Sequence, residues 1–188
     1  MNNTSPDILS FNCTQARKFL MRNDCFANND MPDYTDFEPL LKTIAKVIGE
    51  KKYKECLSRN SPDKLQNVNL VMLTNKDGKY GVRPLSLMNP CLYYFIIRSI
   101  TDKNNWRLIK KHFKLCTSDH INLCAMPIIP AEIESFPKST TILNWWNNYE
   151  QQTIELSFHY SLMFITDITN CYGSVLLTDI KKALCRKN

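Results

Sequence analysis

Hydrophobic positions along this chain keep a helical spacing in some stretches and lose it in others. Phe37, Leu40, Leu41, Ile44, Val47 and Ile48 recur with the three- and four-residue spacing of one helix face, which predicts a helix within residues 36–53 that Asp36 can cap. Leu92, Tyr93, Ile96, Ile97 and Ile100 repeat the pattern after Asn89-Pro90, and proline suits the first helical position, so a second helix is expected to start there. Shorter or weaker patterns predict helices over residues 14–21, 106–113 and 143–158, and a short basic one over 178–188. The rest of the first 35 residues is rich in Asn and Asp without a sustained period and reads as loosely ordered.

Two β-prone runs, residues 70–73 and 82–87, flank Asn75-Lys76-Asp77-Gly78-Lys79-Tyr80, and Asp77-Gly78 is a hairpin signal. A third strand is expected over residues 161–168, while prolines 127, 130 and 137 predict an irregular path between residues 128 and 137. Helices with a few strands, and no repeat or low-complexity linker, point to an α+β fold.

Composition narrows the classes. The 188 residues suffice for one ordinary domain or a piece of something larger, and 44% hydrophobic against 22% charged residues is a globular balance rather than a disordered one. No apolar run approaches the ~18 residues of a membrane span, and residues 1–22 are too polar for a signal peptide, so a cytoplasmic protein without membrane attachment is expected. Twenty-four Lys and Arg against 18 Asp and Glu leave a net charge of +6, compatible with nucleic-acid contact. Eight cysteines at irregular spacings are expected as free buried thiols. His112, Cys116, His120 and Cys124 recur every four residues, but on a continuous helix the set would span about 18 Å, too far for one zinc ion, so thiols and surface histidines are the better reading. Trp106, Trp145 and Trp146 are expected to pack in the core or between helices.

The chemistry-bearing stretch is residues 164–173, FITDITNCYG. An aspartate after an apolar run is ordinarily a turn or helix cap. A phosphoryl-transfer site also needs hard oxygen ligands for Mg2+ on a firm element, which the Asp167 carboxylate and the next carbonyl, that of Ile168, could supply.

Residues 164–174 resemble the first catalytic motif of reverse transcriptases, an Asp followed at the fifth position by Phe or Tyr, and look most like the bacterial reverse transcriptases of abortive infection and phage defence. The resemblance implies that Asp167 is a catalytic ligand of Mg2+, the Ile168 carbonyl a second ligand, and Tyr172 a steric gate against a ribose 2′-hydroxyl. Residues 75–85 are similar to the fingers hairpin of these enzymes, which implies that Lys76, Lys79 and Arg83 grip the triphosphate of the incoming nucleotide. Residues 87–94 resemble the next block, an apolar strand running into an Asn-Pro helix start.

Three blocks in order span roughly residues 65–184 and imply a right-hand polymerase: an N-terminal helical extension over 1–60, fingers over 61–155 and the start of the palm over 156–188. Implied partners are an RNA or DNA template, a primer and deoxynucleoside triphosphates. The chain departs from the family in having no Asp-Asp pair, and Leu176 and Leu177 stand where the family tends to be polar. Asp179, after Thr178, reads as a helix-start residue. A two-metal site needs more than one carboxylate, so this stretch is expected to be an incomplete polymerase that is inactive alone. The alternative is a catalytically inactive nucleic-acid-binding or assembly module, and a third reading makes Asp167 and Tyr172 turn chemistry only.

Overall fold

The computed structural model describes residues 7–27, 34–56, 67–75, 81–116, 121, 123, 126–128, 137–168 and 171–185, with the backbone alone at 74, 83, 137–141, 171, 172, 184 and 185. It divides into two compact units, Leu9–Trp106 and Met1–Ile8 with Arg107–Asn188. Helices with a two-stranded sheet make the fold α+β, as the sequence pattern predicts.

In the Leu9–Trp106 unit, helix α1 (Cys13–Leu20) opens on a reciprocal cap. Asn12 Oδ1 accepts from the Gln15 N–H at 2.9 Å and Gln15 Oε1 accepts from the Asn12 N–H at 3.0 Å, so two otherwise orphaned donors are satisfied. A short α2 (Asn23–Phe26) follows, and Asn23 ties it to the next segment: Nδ2 donates to the Thr35 carbonyl at 3.0 Å while Oδ1 accepts from the Phe37 N–H at 2.8 Å. Helix α3 (Glu38–Ile48) buries Leu41 and Ile48, and Asp36 accepts from its first amide, that of Glu38, at 2.9 Å. It ends at Gly49, whose φ of +52° is a left-handed conformation that glycine adopts without strain. One turn, α4 (Tyr53–Cys56), follows.

Strands β1 (Leu70–Asn75) and β2 (Val82–Leu87) pair antiparallel, with Leu70 opposite Leu87, Met72 opposite Leu85 and Asn75 opposite Val82. Helix α5 (Pro90–Ile100) starts where Asn89-Pro90 predicts, the Asn89 Oδ1 accepting from the Cys91 N–H at 3.0 Å. Phe26, Ala27, Leu41 and Leu87 form the core cluster, with Met21, Phe37, Met72 and Tyr93 against it. Phe26 stands edge-on to both Phe37 and Tyr93, at centroid distances of 5.2 and 4.9 Å. The short helix expected over residues 14–21 is present as α1, but the loosely ordered entry expected around it is not: residues 8–10 form a 3-10 turn and residues 23–26 form α2, because Ile8 and Phe26 are core residues and their burial holds these short elements.

Helix α6 (Lys103–Cys116) runs across the division between the units. In the other unit Asp7 bridges Ile128 and the Ile8 N–H donates to the Pro127 carbonyl at 2.9 Å. Helix α7 (Pro137–Ser157) begins six residues earlier than its apolar pattern suggests, since Pro137 sits at its first position, where a missing N–H costs nothing. Two short helices, α8 (Cys171–Ser174) and α9 (Leu177–Cys185), follow.

Residues 161–168 are not a strand: they carry no regular secondary structure, and Leu162 and Phe164 are each 91% exposed. A bulky apolar run makes a strand only when a neighbour completes the hydrogen-bond ladder, and among the described residues none does. The five thiols whose burial is described are less buried than expected, with Cys13 and Cys25 half-buried and Cys56, Cys91 and Cys116 exposed. Trp106 is in the core, whereas Trp146 is 53% exposed and Trp145 stacks on Tyr149 one turn along α7. Among the described residues no helix is long and apolar enough to cross a membrane.

Candidate functional site

The β1–β2 register determines where the hairpin residues stand. Arg83 is paired with Thr74, one residue inside the start of β2, so its backbone is held by the ladder. Lys76 and Lys79 fall in the connection between the strands and lie outside the described residues, as do His120 and Cys124. Directly after β2, the Asn89 N–H donates to Asn69 Oδ1 at 3.0 Å while Asn89 caps α5, so one residue closes the hairpin and launches the helix.

Asp167 belongs to the other unit and is exposed at the end of the irregular apolar run. Its Oδ1 accepts from the next backbone amide, that of Ile168, at 2.8 Å, which fixes the carboxylate beside its own main chain. The second carboxylate oxygen has no partner among the described residues and is available to a cation or to water. Ile168 is 64% exposed. Four residues after Asp167 the chain turns into α8, which carries Tyr172 and Gly173.

A Mg2+ ion keeps several waters and takes one or two carboxylates, and an exposed carboxylate oxygen of Asp167 fits as one such ligand. It does not by itself make a two-metal site, and among the described residues no three His, Cys, Asp or Glu side chains gather where they could hold a metal. His112, half-buried, and Cys116, exposed, share α6 one turn apart, as the helical spacing requires. Asp179 stands in the first turn of α9, where its charge complements the helix dipole.

One basic feature escapes the sequence reading. A surface cleft of about 710 Å³ in the Leu9–Trp106 unit is lined by Arg17, Lys51, Tyr53, Phe95, Ile96 and Arg98, among others. Both of its guanidinium groups are already engaged. Arg98 donates to the carbonyls of Gly49, Glu50 and Lys51 at 2.7–2.8 Å, and Arg17 donates to Thr101 Oγ1 at 2.9 Å and to the Thr101 carbonyl at 3.4 Å. These arginines hold the fold together, Arg98 by tying the turn after α3 to α5 and Arg17 by tying α1 to the end of α5. No protein-family model matches the chain, and no curated protein matches it.

Proposed function

We propose that the chain carries the fingers hairpin and the first palm motif of a bacterial-type reverse transcriptase of the phage-defence kind, working in the cytoplasm. The observation that carries this reading is the paired hairpin itself: Arg83 is held in β2 opposite Thr74, Lys76 and Lys79 lie between the strands, and an Asn89-capped helix follows at once. An Arg and two Lys around one hairpin suit a triphosphate, since a guanidinium offers a rigid fork of donors and the ammonium groups add point charges.

In the complete enzyme a primer 3′-hydroxyl attacks the α-phosphate of a deoxynucleotide selected by an RNA or DNA template. Mg2+, when bound, stabilises the developing charge on the phosphate oxygens. Asp167 and the Ile168 carbonyl hold the metal, Arg83, Lys76 and Lys79 orient the triphosphate, and Tyr172 stands under the sugar. A second metal-bridging carboxylate has to come from outside residues 164–174, because Asp167 is the only acid there.

The alternative, a nucleic-acid-binding or assembly module without chemistry, draws on the state of Asp167: one oxygen serves its own turn, and the run before it lacks a strand ladder. Binding of a deoxynucleoside triphosphate with Mg2+, followed by calorimetry, separates the two. The polymerase reading expects weak binding that Arg83→Ala reduces by about 1–3 kcal/mol and that loses its Mg2+ dependence in Asp167→Asn. Binding that is absent, or indifferent to both substitutions, overturns it and leaves the module.

A further inference from the structure

We infer that the basic face of α6 is a docking surface for the phosphate backbone of a nucleic-acid duplex, separate from the proposed nucleotide site. From Lys103 through Ser118 the sequence has no carboxylate. Within α6, Arg107, Lys110, Lys111 and Lys114 follow one another at spacings of three, one and three residues. At 3.6 residues per turn all four fall within an arc of about 100° and along about 10 Å of helix. Ile109 and Phe113 lie on the opposite side, so the helix separates a cationic face from an apolar one.

Arg107, Lys111 and Lys114 are exposed, and none of the three joins an ion pair among the described residues; Lys110 is half-buried. The three exposed like charges Arg107, Lys111 and Lys114 on two turns repel one another, which disfavours this arrangement in isolation and favours a polyanion that neutralises it. The occupant is identified by two features. A duplex holds its phosphates in a fixed row, about 3.4 Å apart along the axis on each strand, so about 10 Å of cationic row on a rigid helix faces about three phosphates of one strand. Single-strand binders add aromatic platforms on which bases stack. The cationic arc of α6 contains none, and a convex helix face with cations alone contacts backbone without reading bases.

The test is fluorescence anisotropy of a labelled 30-base-pair duplex of mixed sequence, titrated with the chain at a series of NaCl concentrations. Each phosphate contact contributes about −0.9 to the slope of log K against log salt. Replacing Arg107, Lys110, Lys111 and Lys114 with Gln should weaken binding at least tenfold at ~0.1 M salt and flatten that slope by about 3 to 4. A variant that keeps the half-buried Lys110 and changes only the three exposed residues should flatten it by about 2 to 3, and guards against a folding defect. A control that neutralises Lys18, Lys46, Lys51 and Lys54, four exposed lysines of the other unit, removes the same charge and should leave the slope nearly unchanged. The inference is overturned by equal slopes in wild type and both α6 variants, by an equal effect of the control, by tighter binding of a single strand than of the duplex, or by a face that serves only anionic vesicles. No residue of the proposed triphosphate site is involved, so loss of duplex binding with triphosphate binding intact, or the reverse, shows which of the two readings has failed.

Discussion

Arg98 on α5 donates to the carbonyl of Gly49 at 2.8 Å, forty-nine positions away, and the same guanidinium reaches the carbonyls of Glu50 and Lys51. A single side chain thereby ties the turn that follows α3 to α5. Glu50 adds a carboxylate 3.5 Å from the same group, but its side chain is 99% exposed, so that ion pair contributes little.

Arg98→Ala should therefore cost about 1–2 kcal/mol of stability, chiefly through the part-buried bond to Gly49, since water can reach the exposed carbonyls of Glu50 and Lys51, and Arg98→Lys should recover only part of it, because an ammonium cannot span the three as a planar fork does. Urea unfolding followed by circular dichroism measures both. Equal stability of wild type and the Ala variant would show that water replaces the guanidinium without loss.

Leu41 is fully buried at the centre of the cluster with Phe26, Ala27 and Leu87. Leu41→Ala should cost about 2–5 kcal/mol, while Leu40→Ala, one position along and 44% exposed, should cost much less. Denaturant midpoints of the two variants test which face of α3 carries the core.

Alkaline pH should destabilise the Leu9–Trp106 unit. Burial, aided by the Asp24 carboxylate and opposed by Arg22, pushes the Cys25 thiol up to about 12, and burial also raises the Tyr93 hydroxyl, which donates to the Leu20 carbonyl at 2.6 Å. Both groups keep their protons in the folded state where the unfolded chain releases them. The stability they contribute is full below the ordinary thiol value of about 8.5 and declines as pH rises toward the folded values. Urea midpoints should fall between about pH 8.5 and pH 11 in the wild type and fall less in Cys25→Ala with Tyr93→Phe. Thiol reagents at pH 8 should modify the exposed Cys56, Cys91 and Cys116 well before Cys25.

The polymerase proposal makes a prediction about substrate choice. In a protein completed with the downstream palm and thumb of a bacterial reverse transcriptase, Tyr172→Val should leave deoxynucleotide incorporation nearly intact and raise ribonucleotide incorporation at least tenfold, about 1.4 kcal/mol of lost steric exclusion. A core role for the ring predicts instead an equal loss with both nucleotides and a lower melting temperature. Single-nucleotide primer extension with each substrate distinguishes them.

Local signals in the sequence determined most of the elements. Asp36 before α3, Asn89-Pro90 before α5 and Asp77-Gly78 between β1 and β2 act within a few residues of themselves, so these two helix starts and the hairpin are legible without a partner. Arg83, Asp167 and Tyr172 were equally legible as candidates, because residue type and spacing are properties of the chain. Tertiary structure decided the rest. Phe26 became a core residue only by meeting Leu41, Leu87 and Tyr93, and Arg98 found the carbonyls of Gly49, Glu50 and Lys51 only because α5 packs beside the turn after α3. The run 161–168 shows the converse: its consecutive apolar residues are suited to a strand, but the bonds that would define one belong to a neighbouring strand, and sequence pattern alone cannot supply that neighbour.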